Sequence, residues 1–552
     1  MWNCDITKEP HGAETPILLY TGQDKELCVY YTPLLWGFLP VSRSVWAERY
    51  TYGCMEAFVK PEIAWSVVAP IGIVVTTAFV SLVVELFLPR SQRALLVVVG
   101  LLGLAIAAYF QVAVWQSSVV TFGEMAVSDP LSVLLCLAIL GATALTLLVS
   151  EDYLQARGLR YGEFYPLLLF ASAGAMAMVS TTNLMVMFIG LEMLSLSLYV
   201  LSGLSRTEAR SEESALKYFL LGAFASAFLL YGIALLYGAQ GSVDLRAIPM
   251  AWGSAGQGEA SVALLTASLI LLLIGLGFKA SLVPFHLWTP DVYQGAPTVV
   301  TAYMSAVAKV AAFGVLIRLM VSFAPLGDLW TPLLWWLSVL SMIVGNAAAL
   351  IQRDAKRMLA YSSVAHAGYL SVGLVSANAT GVAGMIYYLV AYSLMTVGAF
   401  GALSLMARAG DATTIEALQG LYRRSPFAAH ALAILMLSLA GVPPTAGFWG
   451  KWYLFFAAVQ ANQIVLALML ALTSVIGAAY YLRLTFSLYA EPWEAAPAWR
   501  LPAPMVACLL ACMLGLIGLG VAPARLTNAA RDATRRLMVE QPAPALQAGF
   551  KP

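Results

Sequence analysis

Charged residues are scarce in this chain: they make up 11% of its 552 residues, whereas hydrophobic residues make up 61% and the mean hydropathy is +0.81. This composition excludes a soluble globular domain and is typical of a protein that crosses a membrane many times. The formal net charge is only +1, and no basic run is long enough to follow a phosphate backbone. The sequence therefore predicts no nucleic-acid partner.

Motifs for cofactors are also lacking. The six cysteines form no CxxC pair and have no histidines at the spacing of a metal or haem site. Cys508 and Cys512 lie four residues apart in an apolar run, where we expect them to be small core residues. No glycine pattern of a Rossmann or P-loop site is present either. We expect this chain to bind no metal, nucleotide or redox cofactor of its own.

Residues 1–63 are polar and rich in Tyr and Trp, without the basic start and apolar core of a signal peptide. They are either an extramembrane N-terminal extension or the product of a mis-assigned start codon, with Met55 as the alternative start. We assign this segment no function.

Apolar runs of about 20 residues, the length that crosses a bilayer, follow this segment. Fourteen candidate spans lie near residues 64–88, 94–115, 129–149, 163–181, 184–204, 214–238, 262–284, 297–321, 331–352, 357–376, 380–407, 428–457, 463–488 and 503–522. The predicted fold is all-α, a polytopic membrane protein.

Arginine and lysine cluster in the loops that join an odd-numbered span to the next even-numbered one. By the positive-inside rule these loops are cytoplasmic, so both termini lie on the non-cytoplasmic side. The loops hold Arg90, Arg93, Arg157, Arg160, Arg206, Arg210, Arg353, Lys356, Arg357, Arg408, Arg423, Arg424 and Arg500. The Arg-rich tail LTNAARDATRRLMVE conflicts with this rule, and we expect it to form a short amphipathic helix at the membrane interface.

Four ionisable residues lie inside apolar runs: Glu192, Lys279, Lys309 and Lys451. Each costs about 2.5–3.5 kcal/mol at the bilayer centre, and a sum of about 10–14 kcal/mol rivals the stability of a whole domain. Core pairing or reach to the interface can explain one such residue, but four together indicate function. Burial disfavours the charged form of a lysine and a nearby glutamate favours it, so a buried lysine can exchange a proton near neutral pH.

Three further residues are candidates for the same proton relay. Lys217, at the start of the sixth span, either reaches the interface or pairs with Glu192. His366, in the tenth span, either continues the relay or is a hydrogen-bonded core histidine. His286 follows Pro284, where we expect water to arrive from the cytoplasm.

Proline interrupts two spans beside a lysine. Pro284 follows Lys279 in the seventh span, and Pro443 and Pro444 precede Lys451 in the twelfth. Such breaks survive in lipid only where protein or water covers the freed backbone groups. Two breaks five spans apart predict inverted five-helix repeats, with a half-channel opening inward near Lys279 and another opening outward near Lys451.

The predicted organisation has five parts after residue 63. They are helices 1–3 in residues 64–162, the first repeat (helices 4–8) in 163–321, the second repeat (helices 9–13) in 331–488, helix 14 in 503–522 and a tail in 523–552.

Five stretches make this chain similar to a known family. They are LEMLSLSLYVLSGL, ESALKYFLLGAFASAFLLYGIALLYG, GFKASLVPFHLWTPDVYQGAPTVVTAYMSAVAKVAAF, RDAKRMLAYSSVAHAGY and GVPPTAGFWGKWYLF. They resemble the proton-translocating antiporter-like subunits of respiratory complex I, and among these the subunit N type. Subunit L is less similar because it continues into a long lateral helix, and subunit M carries a glutamate where Lys451 stands.

The resemblance implies a fourteen-helix fold with two inverted repeats in a bacterial inner (cell) membrane or a thylakoid-type membrane. Its partners would be the lipid bilayer and the other antiporter-like and small hydrophobic subunits. NAD or ferredoxin, FMN, Fe-S clusters and quinone would be used by partner subunits. Six residues match the family's functional positions: Glu192, Lys217, Lys279, His286, Lys309 and Lys451.

Three other functions stay open at this point. The first is an Mrp-type cation/proton antiporter or a membrane-hydrogenase subunit, which sodium-dependent transport would identify. The second is a solute transporter, which needs a polar and aromatic substrate pocket that the sequence does not show. The third is a non-conducting structural subunit of the membrane arm.

Overall fold

The computed structural model describes residues 18–20, 27–29, 63–89, 92–249, 259–491 and 498–539. The chain divides into two units, Met1–Ile63 and Ala64–Pro552. Outside the described ranges fall most of the N-terminal extension and the following features of the sequence analysis: Cys4, Met55, Cys54, Arg90 and residues 540–552 of the tail.

The second unit consists of helices, as predicted. Their bounds are α1 (Trp65–Phe87), α2 (Ala94–Ala113), α3 (Pro130–Ala156), α4 (Phe164–Val179), α5 (Leu184–Ser202), α6 (Ala209–Gln240), α7 (Glu259–Ala280), α8 (Trp288–Gly295), α9 (Thr298–Ser322), α10 (Gly327–Leu350), α11 (Ala355–Val375), α12 (Ala379–Leu403), α13 (Leu421–Arg424), α14 (Pro426–Ala440), α15 (Ala446–Gln460), α16 (Ile464–Tyr489), α17 (Ala503–Val521) and α18 (Ala524–Val539). Short 3-10 turns at Ala324–Leu326 and Ser404–Ala409 extend α10 and α12.

Each predicted span contains a helix of the structure. Among the described residues, twelve helices are long and apolar enough to cross a membrane, and α4 and α14 are shorter apolar helices. The predicted seventh and twelfth spans are interrupted, which confirms the two discontinuous helices. The seventh helix ends at Ala280 and not at residue 284, and α8 follows it in a stretch where hydropathy predicts no helix. The number of helices that actually cross the membrane stays a prediction.

Two short antiparallel hairpins add to the all-α plan. Their strands are β1 (Leu18–Tyr20) with β2 (Leu27–Val29) in the first unit, and β3 (Val119–Thr121) with β4 (Ala126–Ser128) between α2 and α3. In the second hairpin the turn at Phe122, Gly123 and Glu124 has positive φ throughout. These hairpins are too short for a hydrophobic period to reveal them.

Polar caps begin four of the helices. The side chains of Asp129, Asn183, Asp354 and Asn378 accept hydrogen bonds from first-turn N–H groups of α3, α5, α11 and α12. These N–H groups have no partner within the helix, and a capping side chain supplies one where the helix enters the membrane. The caps therefore fix the residue at which each of these four helices begins.

The centre of the second unit is α9. All of its residues are buried, and it packs against α3, α4 and α12. Helix α11 is almost as completely enclosed. Because Lys309 lies on α9 and His366 on α11, the structure puts both residues in the protein interior, away from lipid.

A buried ion pair ties α9 to its neighbours. The two Nη atoms of Arg318 donate to the two carboxylate oxygens of Asp129 at 2.8 and 2.9 Å. Its Nε donates to the carbonyl oxygen of Val179 at 3.1 Å, at the end of α4. Both charged side chains are at most 3% exposed. The pair therefore holds the ends of three helices together.

The predicted inverted repeats agree with several packing features. Helix α4 packs along α5 at the start of the first repeat, and α10 packs along α11 at the start of the second. Each repeat also holds one interrupted helix, α7 with α8 and α14 with α15. The repeat boundaries themselves stay a prediction.

The predicted amphipathic helix in the tail is present as α18. Its apolar face packs against α3 and α12 through Ala530, Ala533 and Leu537, while Arg525, Arg531 and Arg535 are exposed. Near its end, Nη1 of Arg536 donates to the carbonyl oxygen of Gln116 at 3.1 Å. Cys508 and Cys512, on α17, are buried core residues, as predicted.

Candidate functional site

The first helix break is covered by protein. The backbone N–H of Leu282 donates to the carbonyl of Gly277 at 2.8 Å, and that of Val283 donates to Ser341 Oγ at 2.9 Å. The indole N–H of Trp288 donates to the carbonyl of Phe278 at 2.9 Å. Backbone groups that proline would otherwise leave free in the membrane are thereby paired.

Lys279 lies in the last turn of α7, directly before this break. Its Nζ donates to Ser195 Oγ at 2.8 Å and to Tyr218 Oη at 3.1 Å, and the residue is 3% exposed. The Tyr218 ring stacks on Trp288, with 4.5 Å between centroids. The position of α8 therefore fixes one of the two hydrogen-bond partners of the lysine.

Glu192 lies one helical turn from Ser195 on α5 and accepts a hydrogen bond from Ser226. Within the described residues Glu192 and Lys279 form no ion pair. A cavity of about 10 Å³ has Ser195, Ser226 and Lys279 in its wall. This volume is the size that holds one water molecule. Ser226, which donates to Glu192, and Ser195, which accepts from Lys279, therefore border the same water-sized space.

Lys217 does not pair with Glu192. Its Nζ donates to carboxylate oxygens of Asp291 and Glu213, both at 2.7 Å, and its side chain is 41% exposed. Asp291 also pairs with Arg357 at 2.7 Å. Pairing of Lys217 with Glu192 is thus wrong for this structure, because Lys217 lies at the exposed end of α6. Its position fits the alternative of a lysine that reaches the interface.

The break at Pro284 does not open to water as predicted. His286 is only 8% exposed, and its carbonyl accepts from the N–H of Thr289. The surface cavity of about 210 Å³ beside Pro284 is lined by apolar groups such as Phe285 and Leu287. An apolar wall of this kind suits lipid, so the expectation of a wet entry at this proline is wrong.

A polar cavity of about 370 Å³ lies instead at the far end of the same stretch, around Gln294–Pro297. Its wall carries the charged residues Arg157, Glu208, Arg210, Asp354, Lys356 and Asp411. Lys356 is 3% exposed and donates to the carbonyl of Ala296 at 2.7 Å. This cavity is the place where water can approach the centre of the chain from the loops predicted to be cytoplasmic.

Lys309 lies in the middle of α9 and is 3% exposed. Its Nζ donates to the carbonyl oxygen of Ser363 on α11 and lies 5.2 Å from the ring centroid of Tyr392. No carboxylate lies within 4 Å of this amine in the described residues. Lys309 therefore faces the second half of the chain, as expected of a residue between two half-channels.

The second break holds Lys451 at its base. Nζ donates to the carbonyls of Leu439 and Ala440, at 2.9 and 3.0 Å, and to Ser474 Oγ at 2.8 Å. Leu439 and Ala440 end α14, where Pro443 and Pro444 prevent continuation of the helix. A cation at a helix C-terminus is favourable because it meets unpaired carbonyl groups. An open cavity of about 470 Å³ adjoins this amine.

The second break is packed too tightly for a methyl group. A Cβ at Gly520 on α17 would lie 1.7 Å from the carbonyl oxygen of Pro444, whereas at Gly518 it would meet nothing within 4 Å. Because a backbone oxygen cannot turn aside, we expect Gly520→Ala to lower the free energy of unfolding by about 1–3 kcal/mol. Gly518→Ala is the matched control and should have no destabilising effect. Thermal denaturation of the detergent-purified protein measures both, and equal melting temperatures would contradict this packing.

His366 lies between Lys309 and Lys451. Its Nε2 is 2.9 Å from Tyr481 Oη, and its Nδ1 is 2.6 Å from Tyr388 Oη. Its ring also packs against Tyr392, which neighbours Lys309, and against Tyr369, whose ring centroid is 5.1 Å from Lys451 Nζ. The structure thus places His366 on the line between Lys309 and Lys451.

The tyrosine hydroxyl groups that contact Lys279 and His366 were not predicted from the sequence. Tyr218, Tyr388 and Tyr481 are buried tyrosines inside apolar helices. A phenol in such a position needs a polar partner, and this requirement was the signal that could have identified them. Lys356 was assigned to a loop and is instead a buried lysine of α11.

The comparisons with known proteins agree with this geometry. A family model described as "NADH:quinone oxidoreductase/Mrp antiporter, TM" matches residues 181–477. The chain is 41% identical to NADH-quinone oxidoreductase subunit N of Trichlorobacter lovleyi, over 85% of this chain and 97% of the relative. It is 41% identical to subunit N 1 of Herpetosiphon aurantiacus, over 86% of this chain and 97% of the relative.

Solved structures show the same architecture. A chain of respiratory complex I from Thermus thermophilus with bound aureothin is 38% identical, with a TM-score of 0.73 over 84% of this chain and 99% of that chain. A chain of the Mrp complex from Dietzia sp. is 23% identical, with a TM-score of 0.76 over 88% and 99% of the two chains. The similarity to the chain of the Mrp complex shows a shared fold only.

Proposed function

Because this chain belongs to the subunit N family of NADH-quinone oxidoreductases, within the NADH:quinone oxidoreductase/Mrp antiporter family, we propose that it moves protons across a membrane through its buried lysines. Quinone reduction in partner subunits drives the movement. The partners are the other membrane subunits of a complex I type enzyme. Other subunits of the same enzyme hold the FMN, the Fe-S clusters and the site for NAD or ferredoxin, and they bind the quinone.

One observation carries the proposal: four lysines are at most 6% exposed and have no carboxylate within 4 Å in the described part of the chain. Lys356 lies in the wall of the polar cavity, and the other three lie at the two helix breaks and on the central helix α9. They are Lys279, Lys309 and Lys451. A permanently charged ammonium in such surroundings is costly. Each amine therefore suits a group that gains and loses a proton in turn.

The hydrogen-bond partners of the lysines favour proton movement from Lys279 towards Lys451. Lys279 contacts two hydroxyl groups, which can donate or accept, so its amine is accommodated in either protonation state. Lys451 contacts two carbonyl oxygens, which can only accept, and one hydroxyl. Three acceptors match the three N–H bonds of an ammonium. A proton leaving Lys279 thus finds a favourable place at Lys451.

The proposed path begins at the polar cavity around Gln294–Pro297 and includes Lys279, Lys309, His366 and Lys451. Glu192 is the coupling group, since a change in its charge alters how strongly Lys279 holds a proton. Export against 100 mV needs about 2.3 kcal/mol for each proton. A hundredfold change in the proton affinity of one lysine supplies about 2.7 kcal/mol, which is enough.

The test uses the assembled complex in liposomes. We expect Lys279→Ala to lower quinone-coupled acidification about tenfold, because the lost amine is replaced only by space for water. Arg423→Ala, which removes an exposed arginine on the short helix α13, is the matched control and should pump normally. Undiminished pumping by Lys279→Ala would show that Lys279 has only a structural role. Pumping that requires sodium would instead favour a cation/proton antiporter.

A further inference from the structure

A chain of hydroxyl groups runs through His366. Tyr481 Oη contacts both Ser362 Oγ and His366 Nε2, and Tyr388 Oη contacts His366 Nδ1 at 2.6 Å. The four residues come from three helices, α11, α12 and α16, and each is at most 2% exposed. Every member can both donate and accept a hydrogen bond.

The two ends of this hydroxyl chain lie near residues that contact or precede Lys309 and Lys451. Ser362 adjoins Ser363, whose carbonyl oxygen accepts from Lys309. At the other end the Tyr388 ring packs against the backbone of Gly450, where a Cβ would lie 2.1 Å from it. Gly450 directly precedes Lys451. The hydroxyl chain therefore lies in the region between the two lysines.

We propose that Tyr481 and Tyr388 are relay residues that pass protons into and out of His366 between Lys309 and Lys451. The inference rests on the proposed function and names groups that the lysine line alone does not supply. The histidine works as a neutral carrier in this relay, since one of its nitrogens accepts while the other donates.

The transfer balances at every step. A proton from Lys309 reaches Ser362 Oγ through water. Ser362 then passes its own hydroxyl proton to Tyr481 Oη. Tyr481 gives its own proton to His366 Nε2, and the Nδ1–H bond breaks as that proton passes to Tyr388 Oη. Tyr388 then releases its original hydroxyl proton toward neutral Lys451. The first tautomer is restored when water carries the Nε2 proton to Nδ1, because rotation of the ring leaves each proton on its own nitrogen.

A neighbouring tyrosine provides a matched control. Tyr387 precedes Tyr388 on α12, but its hydroxyl donates to the carbonyl of Leu519 at 2.9 Å. A Tyr→Phe change keeps the ring that packs. Of these two tyrosines, Tyr388 contacts His366 through its hydroxyl and Tyr387 does not.

The experiment compares quinone-coupled acidification by liposomes that contain the assembled complex. Tyr481→Phe and Tyr388→Phe should each pump about tenfold more slowly, and the double variant should be no slower because the steps are in series. Tyr387→Phe should stay within about twofold of the unmodified complex. His366→Gln separates relay from structure: it keeps a donor and an acceptor but cannot exchange a proton, so pumping should stay low.

Normal pumping by Tyr481→Phe and Tyr388→Phe, or rescue by His366→Gln, would overturn the relay. If the tyrosine variants do not assemble, Ser362→Ala removes the end of the chain with a smaller change, and normal pumping by that variant overturns it as well. Lys279→Ala is measured in parallel. Slow pumping by Lys279→Ala together with normal pumping by the tyrosine variants would reject only the relay. Normal pumping by Lys279→Ala would reject the proposed function.

Discussion

Lys309→Met is expected to lower quinone-coupled proton transport by at least about 100-fold, the size of effect that a lost proton-transfer group produces. The amine of Lys309 faces Ser363 on α11 and lies in the fully buried helix α9. It joins the half of the chain that holds Lys279 to the half that holds Lys451. Methionine fills the same space without leaving room for water, so no substitute carrier remains.

Lys309→Arg separates a proton carrier from a structural charge. Arginine keeps the positive charge but is not deprotonated in proteins. We therefore expect Lys309→Arg to be as inactive as Lys309→Met, although both should assemble. Replacement of a buried charge by an apolar group of similar volume is often neutral for stability. Acidification of liposomes and the yield of assembled complex are the measurements, and pumping restored by arginine would contradict the role of Lys309 as a carrier.

Asp129→Ala is expected to lower the free energy of unfolding by about 3–5 kcal/mol, because it leaves the guanidinium of Arg318 buried without its counter-charge. The carboxylate contacts both Nη atoms, and neither residue is exposed beyond 3%. Thermal denaturation of the purified protein is the measurement.

The control for this change removes both charges. Asp129→Leu combined with Arg318→Met leaves no unpaired ion and should recover most of the lost stability. If Asp129→Ala alone melts at the temperature of the unmodified protein, the ion pair does not hold α3, α4 and α9 together.

Much of the candidate site was predictable because its signals are local. A lysine inside an apolar run, such as Lys279 or Lys309, is visible from hydropathy alone, and a proline within a span predicts where the helix must stop. The structure confirms both interruptions, at residues 281–287 and 441–445. The amphipathic tail helix was visible for the same reason, since its period lies within a few turns.

Features that depend on distant residues were not predictable. Asp129 and Arg318 are 189 positions apart, so no local pattern in the sequence indicates that they pair. The partner of Lys217 was misjudged because Asp291 lies on α8, a helix that hydropathy does not reveal. The entry at Pro284 was misplaced because the apolar wall comes partly from α6, which contributes Phe224 and Phe228.

The polar cavity at Gln294–Pro297 carries three cationic and three carboxylate side chains: Arg157, Arg210 and Lys356 against Glu208, Asp354 and Asp411. Its wall is therefore electrically balanced, and its field concentrates neither cations nor anions at the mouth. Added salt therefore has little net electrostatic attraction to screen in this cavity. Protons then reach the lysines along hydrogen bonds, and electrostatic attraction of ions to the cavity contributes little. The rate at which protons enter should therefore depend little on ionic strength.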